Sequence, residues 1–222
     1  TAGQPVVDHS IVLGTITVFA STINRLFSFR MGELVVRYMS AYLADERPDK
    51  AAAVVKAALL AEAVTTVAAF LLLAATAQLG AQVFAKSVDF TPYFLVYGIS
   101  VLGSLVVETS TGILQVDNRF REQATVNLAQ AALTALVIAA AFVLNGGLWM
   151  VLAAYLLGKM ILGIAPAVLA WGSLKRLLPQ RWWQASFDLL PPRRELISFA
   201  LSTNLSATVN LLVRDSELLW VA

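Results

Sequence analysis

Residues 51–80 read AAAVVKAALLAEAVTTVAAFLLLAATAQLG. Across this stretch only Lys56 and Glu62 are charged, and there is no Pro. A run of about 20 apolar residues is long enough to cross the ~30 Å hydrocarbon core of a bilayer as a helix. Working outward, similar runs occupy residues 8–42 (interrupted by charges), 92–116, 122–144, 147–172 and 195–222. The reading is six spans, here lettered A to F, and an all-α, polytopic membrane helix bundle.

Composition agrees. Of 222 residues, 59% are apolar and 14% charged, against roughly 25% charged in a soluble domain. Mean hydropathy is +0.75. A soluble core of this size cannot hide so much apolar surface, because small domains leave much of their area in water. The net charge of +2 excludes a nucleic-acid partner, since no basic aromatic patch accompanies it. The absence of Cys removes thiolate metal sites and thiol nucleophiles, and the lone His9 removes multi-histidine sites.

Charge orients the spans. The A–B connection region holds Arg37, Arg47, Lys50 and Lys56; C–D holds Arg119 and Arg121; E–F holds Lys175, Arg176, Arg181, Arg193 and Arg194. The opposite connections hold Lys86 alone. The positive-inside rule therefore predicts that the loops near 43–50, 117–122 and 173–195 are cytoplasmic. Arg25, Arg30, Lys159 and Arg214 remain within the spans. The connection 173–195 is the longest. Trp182 and Trp183 beside Arg181 suit the headgroup level, either as anchors of a plain loop or as part of an amphipathic linker on the membrane surface.

Polar residues inside spans must meet protein or water. In span C, Tyr93, Tyr97, Ser100, Ser104, Glu108, Thr111 and Gln115 fall within about 80° of one another on an unbroken helix. Such a stripe either lines a water-accessible cavity or hydrogen-bonds a neighbouring span. In span D, Gln123, Asn127, Gln130 and Thr134 share a face, which reads as a vestibule wall or as packing against span C. In span A, Arg30, Glu33 and Arg37 share a face, and Glu33 can pair with either arginine. Arg37 can snorkel to the headgroups. Arg25 lies about 140° away from Arg30, so span A is kinked or unwound near Ser28 to Gly32, or borders a cavity on more than one side. Glu62, Glu108, Lys159 and Arg25 are expected to pair across the bundle interior. In span F, Ser198, Ser202, Ser206 and Asn210 descend one side, followed by Arg214, Asp215 and Glu217. Those charges either end the helix in solvent or face a cavity mouth.

Three segments carry a resemblance. Gly32-Glu33-Leu34-Val35-Val36-Arg37-Tyr38 resembles the second span of polysaccharide exporters. The stretch Gly112-Ile113-Leu114-Gln115-Val116-Asp117-Asn118-Arg119-Phe120-Arg121 resembles their fourth-to-fifth span connection. Leu196 to Ala222 resembles their seventh span. The family is the O-antigen-type oligosaccharide flippases of the multidrug/oligosaccharidyl-lipid/polysaccharide exporter superfamily. The resemblance implies a two-lobed transporter of which this chain is spans two to seven. Residues 1–172 would be first-lobe helices, 173–195 the lobe connector and 196–222 the first helix of the second lobe. The start at Thr1 and the unflanked end of the last run fit such a fragment. The implied substrate is an undecaprenyl-diphosphate-linked oligosaccharide, moved across the bacterial inner membrane for polysaccharide or lipopolysaccharide assembly. Membrane lipids, and other polysaccharide-assembly membrane proteins, would be its partners.

The residues expected to face the substrate are Arg25, Arg30, Glu33, Tyr97, Ser104, Glu108, Thr111, Gln115, Asn127, Lys159, Asn210 and Arg214. Glu108 or Asp215 would bind H⁺ or Na⁺ if transport is ion-coupled; no other cofactor is implied. A multidrug or lipid II exporter of the same superfamily needs the same fold. A membrane glycosyltransferase or ligase would place reactive groups in its outer loops, which hold little beyond Lys86, Asp89 and Asn145, with no hydrolase or metalloprotease motif. An assembly scaffold would not need the stripe of span C.

Overall fold

The computed structural model describes residues 14, 16–20, 30–84, 86–192, 194–199 and 202, and these form helices, turns and short connections without strands. The helices are α1 (Met31–Ala44), α2 (Pro48–Phe84), α3 (Thr91–Leu102), α4 (Val107–Val116), α5 (Phe120–Val143) and α6 (Gly147–Leu177). Pro48 opens α2 at the position where its missing N–H costs nothing. Asn118 and Asn145 take left-handed turns, with φ of 57° and 51°, between α4 and α5 and between α5 and α6. Asparagine tolerates that conformation better than most residues, so both reversals are written in local chemistry.

Among the described residues, four stretches are long and apolar enough to cross a membrane: Pro48–Val83, Val88–Val116, Phe120–Val143 and Gly147–Leu177. They coincide with spans B to E. Much of spans A and F lies outside the described residues. Helix α2 packs against α1 and α3, α4 against α1 and α6, and α5 chiefly against α6. Among the described helices the outermost is α5, where only Ala141 is buried. Leu128, Leu136, Phe142 and Val143 on it are exposed. Apolar faces this large are stable in lipid and not in water.

Among the described residues the interior packs as three apolar clusters, a small one of Leu34, Tyr38 and Val54 and two large ones at opposite ends of the bundle. One gathers Ile16 and Ala20 with Ala69, Leu73, Ala77 and Ala81 of α2, Phe94, Tyr97 and Val101 of α3, and Leu148 and Leu152 of α6. The other gathers Val35 and Met39 of α1, Ala51, Ala52, Val55 and Ala58 of α2, Ile113 and Leu114 of α4, and Ala170 and Leu174 of α6, closed by Leu178 and Trp182. The second core lies at the end that carries the basic connections. There Asp117 pairs with Arg176. Arg119 bonds Glu122 Oε1 at 2.9 Å and donates to the Leu169 carbonyl at 3.2 Å. Lys56 Nζ donates to the Ala185 carbonyl at 2.9 Å and sits 4.4 Å from the Phe187 ring centre. The 178–192 part of the connection forms two single 3₁₀ turns, Trp182–Gln184 and Phe187–Leu189, docked on α2.

Candidate functional site

Between the two cores the same helices carry polar and charged groups. On α2 the apolar core residues stop at Ala58 and resume at Ala69. The gap holds Glu62 and Thr66, both 6% exposed. On α6 the gap between Leu152 and Ala170 holds Lys159, and the gap between Val101 of α3 and Ile113 of α4 holds Ser104, Glu108, Thr109 and Ser110. At the head of α1 stand Arg30 and Glu33. A polar layer therefore crosses the middle of the bundle.

Two helices begin in this layer. Span C does not run unbroken: α3 stops at Leu102 and α4 starts at Val107. Gly103 and the β-branched pair Val106-Val107 weaken the helix here. The N–H groups of Gly103, Ser104 and Leu105 bond back to Ser100, Val101 and Leu102, three residues away. Such 3₁₀ steps turn about 120° instead of about 100°. Val106, at φ −143° and ψ 21°, then leaves the helix altogether. The expectation of one continuous polar face on span C is overturned for this reason, since phase is lost between Ser100 and Glu108. Tyr97 and Ser100 are buried, with Tyr97 inside the first core, while Glu108 is exposed. Ser104 lies in the turn, its hydroxyl donating to the Val101 carbonyl at 2.6 Å, and Thr111 and Gln115 are half-buried on α4.

A helix that starts inside a membrane has N–H groups with no intrahelical acceptor. A polar side chain at the preceding residue normally accepts them, but Val106 has none. Glu62 reaches across from α2 instead. Its Oε1 accepts the Glu108 N–H at 2.7 Å and its Oε2 the Thr109 N–H at 2.9 Å. The Thr109 hydroxyl lies beside the same carboxyl group. Of the expected pairing of Glu62, Glu108, Lys159 and Arg25, neither carboxylate forms an ion pair with Lys159, and Arg25 lies outside the described residues. Glu62 is committed to backbone, and among the described residues the ion pairs are Arg30–Glu33, Arg119–Glu122 and Asp117–Arg176.

The head of α1 meets the head of α4. Arg30, at φ 40° and ψ 45°, is left-handed, and α1 starts at the next residue. This helix start falls inside the Ser28–Gly32 stretch singled out in span A, while residues 21–29 lie outside the described residues. Arg30 pairs with Glu33, so Glu33 chooses Arg30 over Arg37. A Cβ on Gly32 would stand 2.6 Å from the Glu108 carbonyl oxygen and 3.3 Å from Glu108 Oε2. A Cβ on Gly112, one turn further along α4, would stand 2.6 Å from the Gly32 carbonyl oxygen. The two glycines let the backbones touch, and the charges of Arg30 and Glu33 act on Glu108. Of the residues expected to face a substrate, the fold gathers Arg30, Glu33 and Glu108.

Lys159 stands on the other side of the break. On α6 it is in phase, within about 60°, with the buried Leu152, Gly163, Pro166 and Ala170. Yet it is exposed, on the side opposite the lipid-facing Leu157, Ile164 and Val168. A Cβ on Gly103 would lie 3.1 Å from the Lys159 carbonyl oxygen, which places this cation's backbone beside the break. Asn127 is exposed on α5 and takes no part in the layer. In span D, where a vestibule wall or packing against span C was expected, Gln130 bonds Thr134 at 2.9 Å and both abut Gly158 of α6. Arg25, Asn210, Arg214 and Asp215 lie outside the described residues.

A second polar feature joins the basic end of α1 to residues 194–202. Arg37, Tyr38, Arg194, Glu195, Ser198 and Ser202 help line a pocket of about 440 Å³. Tyr38 donates to Glu195 at 2.9 Å, and the Arg37 guanidinium stands 5.0 Å from the Phe199 ring centre. Arg37, read from sequence as a snorkelling residue, is thus partly held by aromatic rings. Nothing in the local spacing of α1 could reveal this, because the partner is more than 150 residues away. Comparison with family models, curated proteins and solved structures gives no match for this chain.

Proposed function

We propose that this chain forms part of a membrane transporter that flips a lipid-linked oligosaccharide across the bacterial inner membrane by alternating access. The observation that carries the reading is the polar layer between two apolar cores, in which α1 and α4 begin with their N-termini in contact. Interrupted helices whose free ends face a mid-membrane site are a recurring device of secondary transporters, because helix termini supply ready-made partners for ions and charged substrates. Ionisable groups held at such depth are costly and are functional candidates by default. The sequence resemblance to O-antigen-type flippases supplies the substrate class. Arg30 and Lys159 are the cations suited to its diphosphate or to an acidic glycan, and Glu108 is the group suited to H⁺ or Na⁺. In this reading the basic end faces the cytoplasm, and the 173–195 stretch joins two lobes.

Reconstitution of the full-length protein in liposomes carrying a labelled lipid-linked oligosaccharide on one leaflet tests the reading. The expected result is transfer of the unchanged lipid to the other leaflet, reduced at least tenfold by E108L while insertion is retained. A chemically modified product without transfer would refute it. Transfer unaffected by E108L would remove Glu108 from the mechanism.

A further inference from the structure

The basic end of α6 carries a pocket that the polar layer does not involve. It measures about 500 Å³, within the range of small-molecule sites, and Trp171, Lys175, Arg181, Trp182 and Trp183 stand on its wall. Trp182 is 7% exposed and belongs to the second core, so it is the fixed point. Trp171 and Trp183 stack with ring centres 6.4 Å apart at 13°, and Trp182 meets both edge-on at 5.8 and 6.1 Å. The two stacked indoles are 47% and 50% exposed. Lys175 Nζ stands 5.8 Å from the Trp171 ring centre. Arg181 is left-handed at φ 65°, so the chain doubles back and sets the indoles of Trp182 and Trp183 against Trp171.

The charge here is uncompensated. Neither Lys175 nor Arg181 forms an ion pair among the described residues. The acids near Arg176 are paired already, Asp117 with Arg176 and Glu122 with Arg119. Two cations disfavour a quaternary ammonium ligand, for which an aromatic cage alone would suit. They call for an anion. The depth of the pocket selects which one. Helix α6 has 31 residues and is about 46 Å long, well beyond the ~30 Å hydrocarbon core, and the basic Lys175 and Arg176 of its last turn put the excess at headgroup level on that end. Tryptophan concentrates at that level because its ring is amphipathic.

We infer that this pocket is a binding site for the phosphate of an anionic phospholipid, held between Lys175 and Arg181 with the Trp171–Trp183 stack against its glycerol backbone. The site ties the connector after α6 to the bilayer surface. It stands on the membrane-spanning reading alone and is independent of which substrate is transported.

Tryptophan quenching tests it. The full chain is placed in phosphatidylcholine nanodiscs containing, at equal mole fraction, either brominated phosphatidylglycerol or brominated phosphatidylcholine. The expected result is stronger quenching by the anionic lipid, at an affinity excess of roughly fivefold for each cation. K175Q/R181Q should abolish the excess, whereas K175R/R181K, which keeps both charges, should retain it. Millimolar inorganic phosphate should leave it unchanged. Equal quenching by the two lipids in the unmodified chain overturns the proposal. So does an excess that survives K175Q/R181Q, or one lost in K175R/R181K. Displacement by inorganic phosphate would assign the pocket to a free anion and overturn the lipid.

Discussion

At the scale of single residues, the energetics of the bundle interior turn on Glu62. Its carboxyl group satisfies two backbone donors that a helix starting at Val107 leaves open. A buried N–H without an acceptor costs on the order of 1–3 kcal/mol. E62L removes both acceptors and should destabilise the folded protein by about that amount for each N–H. E62Q keeps a single acceptor oxygen and should cost about half as much. Denaturant unfolding in detergent micelles, followed by helical circular dichroism, checks this order; a leucine variant as stable as the parent would show that water caps α4 instead. The sequence marked Glu62 as an intramembrane carboxylate that needs an explanation. Its partner could not be read there, because a cap supplied by another helix leaves no local spacing. Arg30 and Glu33 were legible as a pair, since three residues along a helix bring side chains together.

At the scale of elements, the crossing of α1 and α4 is the feature most open to test. Gly32 and Gly112 each leave room for the other helix's backbone, and a Cβ at either position would stand 2.6 Å from a carbonyl oxygen. Backbone yields less readily than a side-chain tip, so G32A and G112A should each destabilise the bundle by about 1–3 kcal/mol. Both clashes are relieved by the same separation of α1 from α4. The double variant should therefore cost less than the sum of the single ones. Thermal unfolding of the three proteins decides this, and strict additivity would count against a shared contact. Helices α2, α5 and α6 were legible because their apolar runs are long and unbroken. The seven-residue stripe of span C was legible as a pattern but not as a face. Its arithmetic assumed a constant 100° step, and the short turn at 103–106 breaks that step.

At the scale of the whole molecule, topology and charge agree on one end. The connections at 45–47, 117–119 and 178–192 lie together there, cross-linked by Asp117–Arg176 and by Lys56 with Ala185. The chain has no Cys, so single cysteines can be introduced without altering the background. D45C, N118C and Q180C should react with a membrane-impermeant maleimide from the cytoplasmic face of oriented vesicles, and S87C and N145C from the opposite face. Labelling of N118C and Q180C from different sides would refute the packing of the basic end. The all-helical class, the membrane setting, four of the spans and the charge asymmetry were determined by the sequence itself, because bilayer thickness and backbone satisfaction leave a long apolar run almost no other structure. Only the tertiary structure decided that Glu62 caps α4, that α1 and α4 meet head to head, that α5 packs on α6, and that three indoles and two cations enclose a pocket. These depend on which helix faces which at a given depth, and lipid-compatible helices of similar hydropathy carry too little contrast along the chain to specify their neighbours.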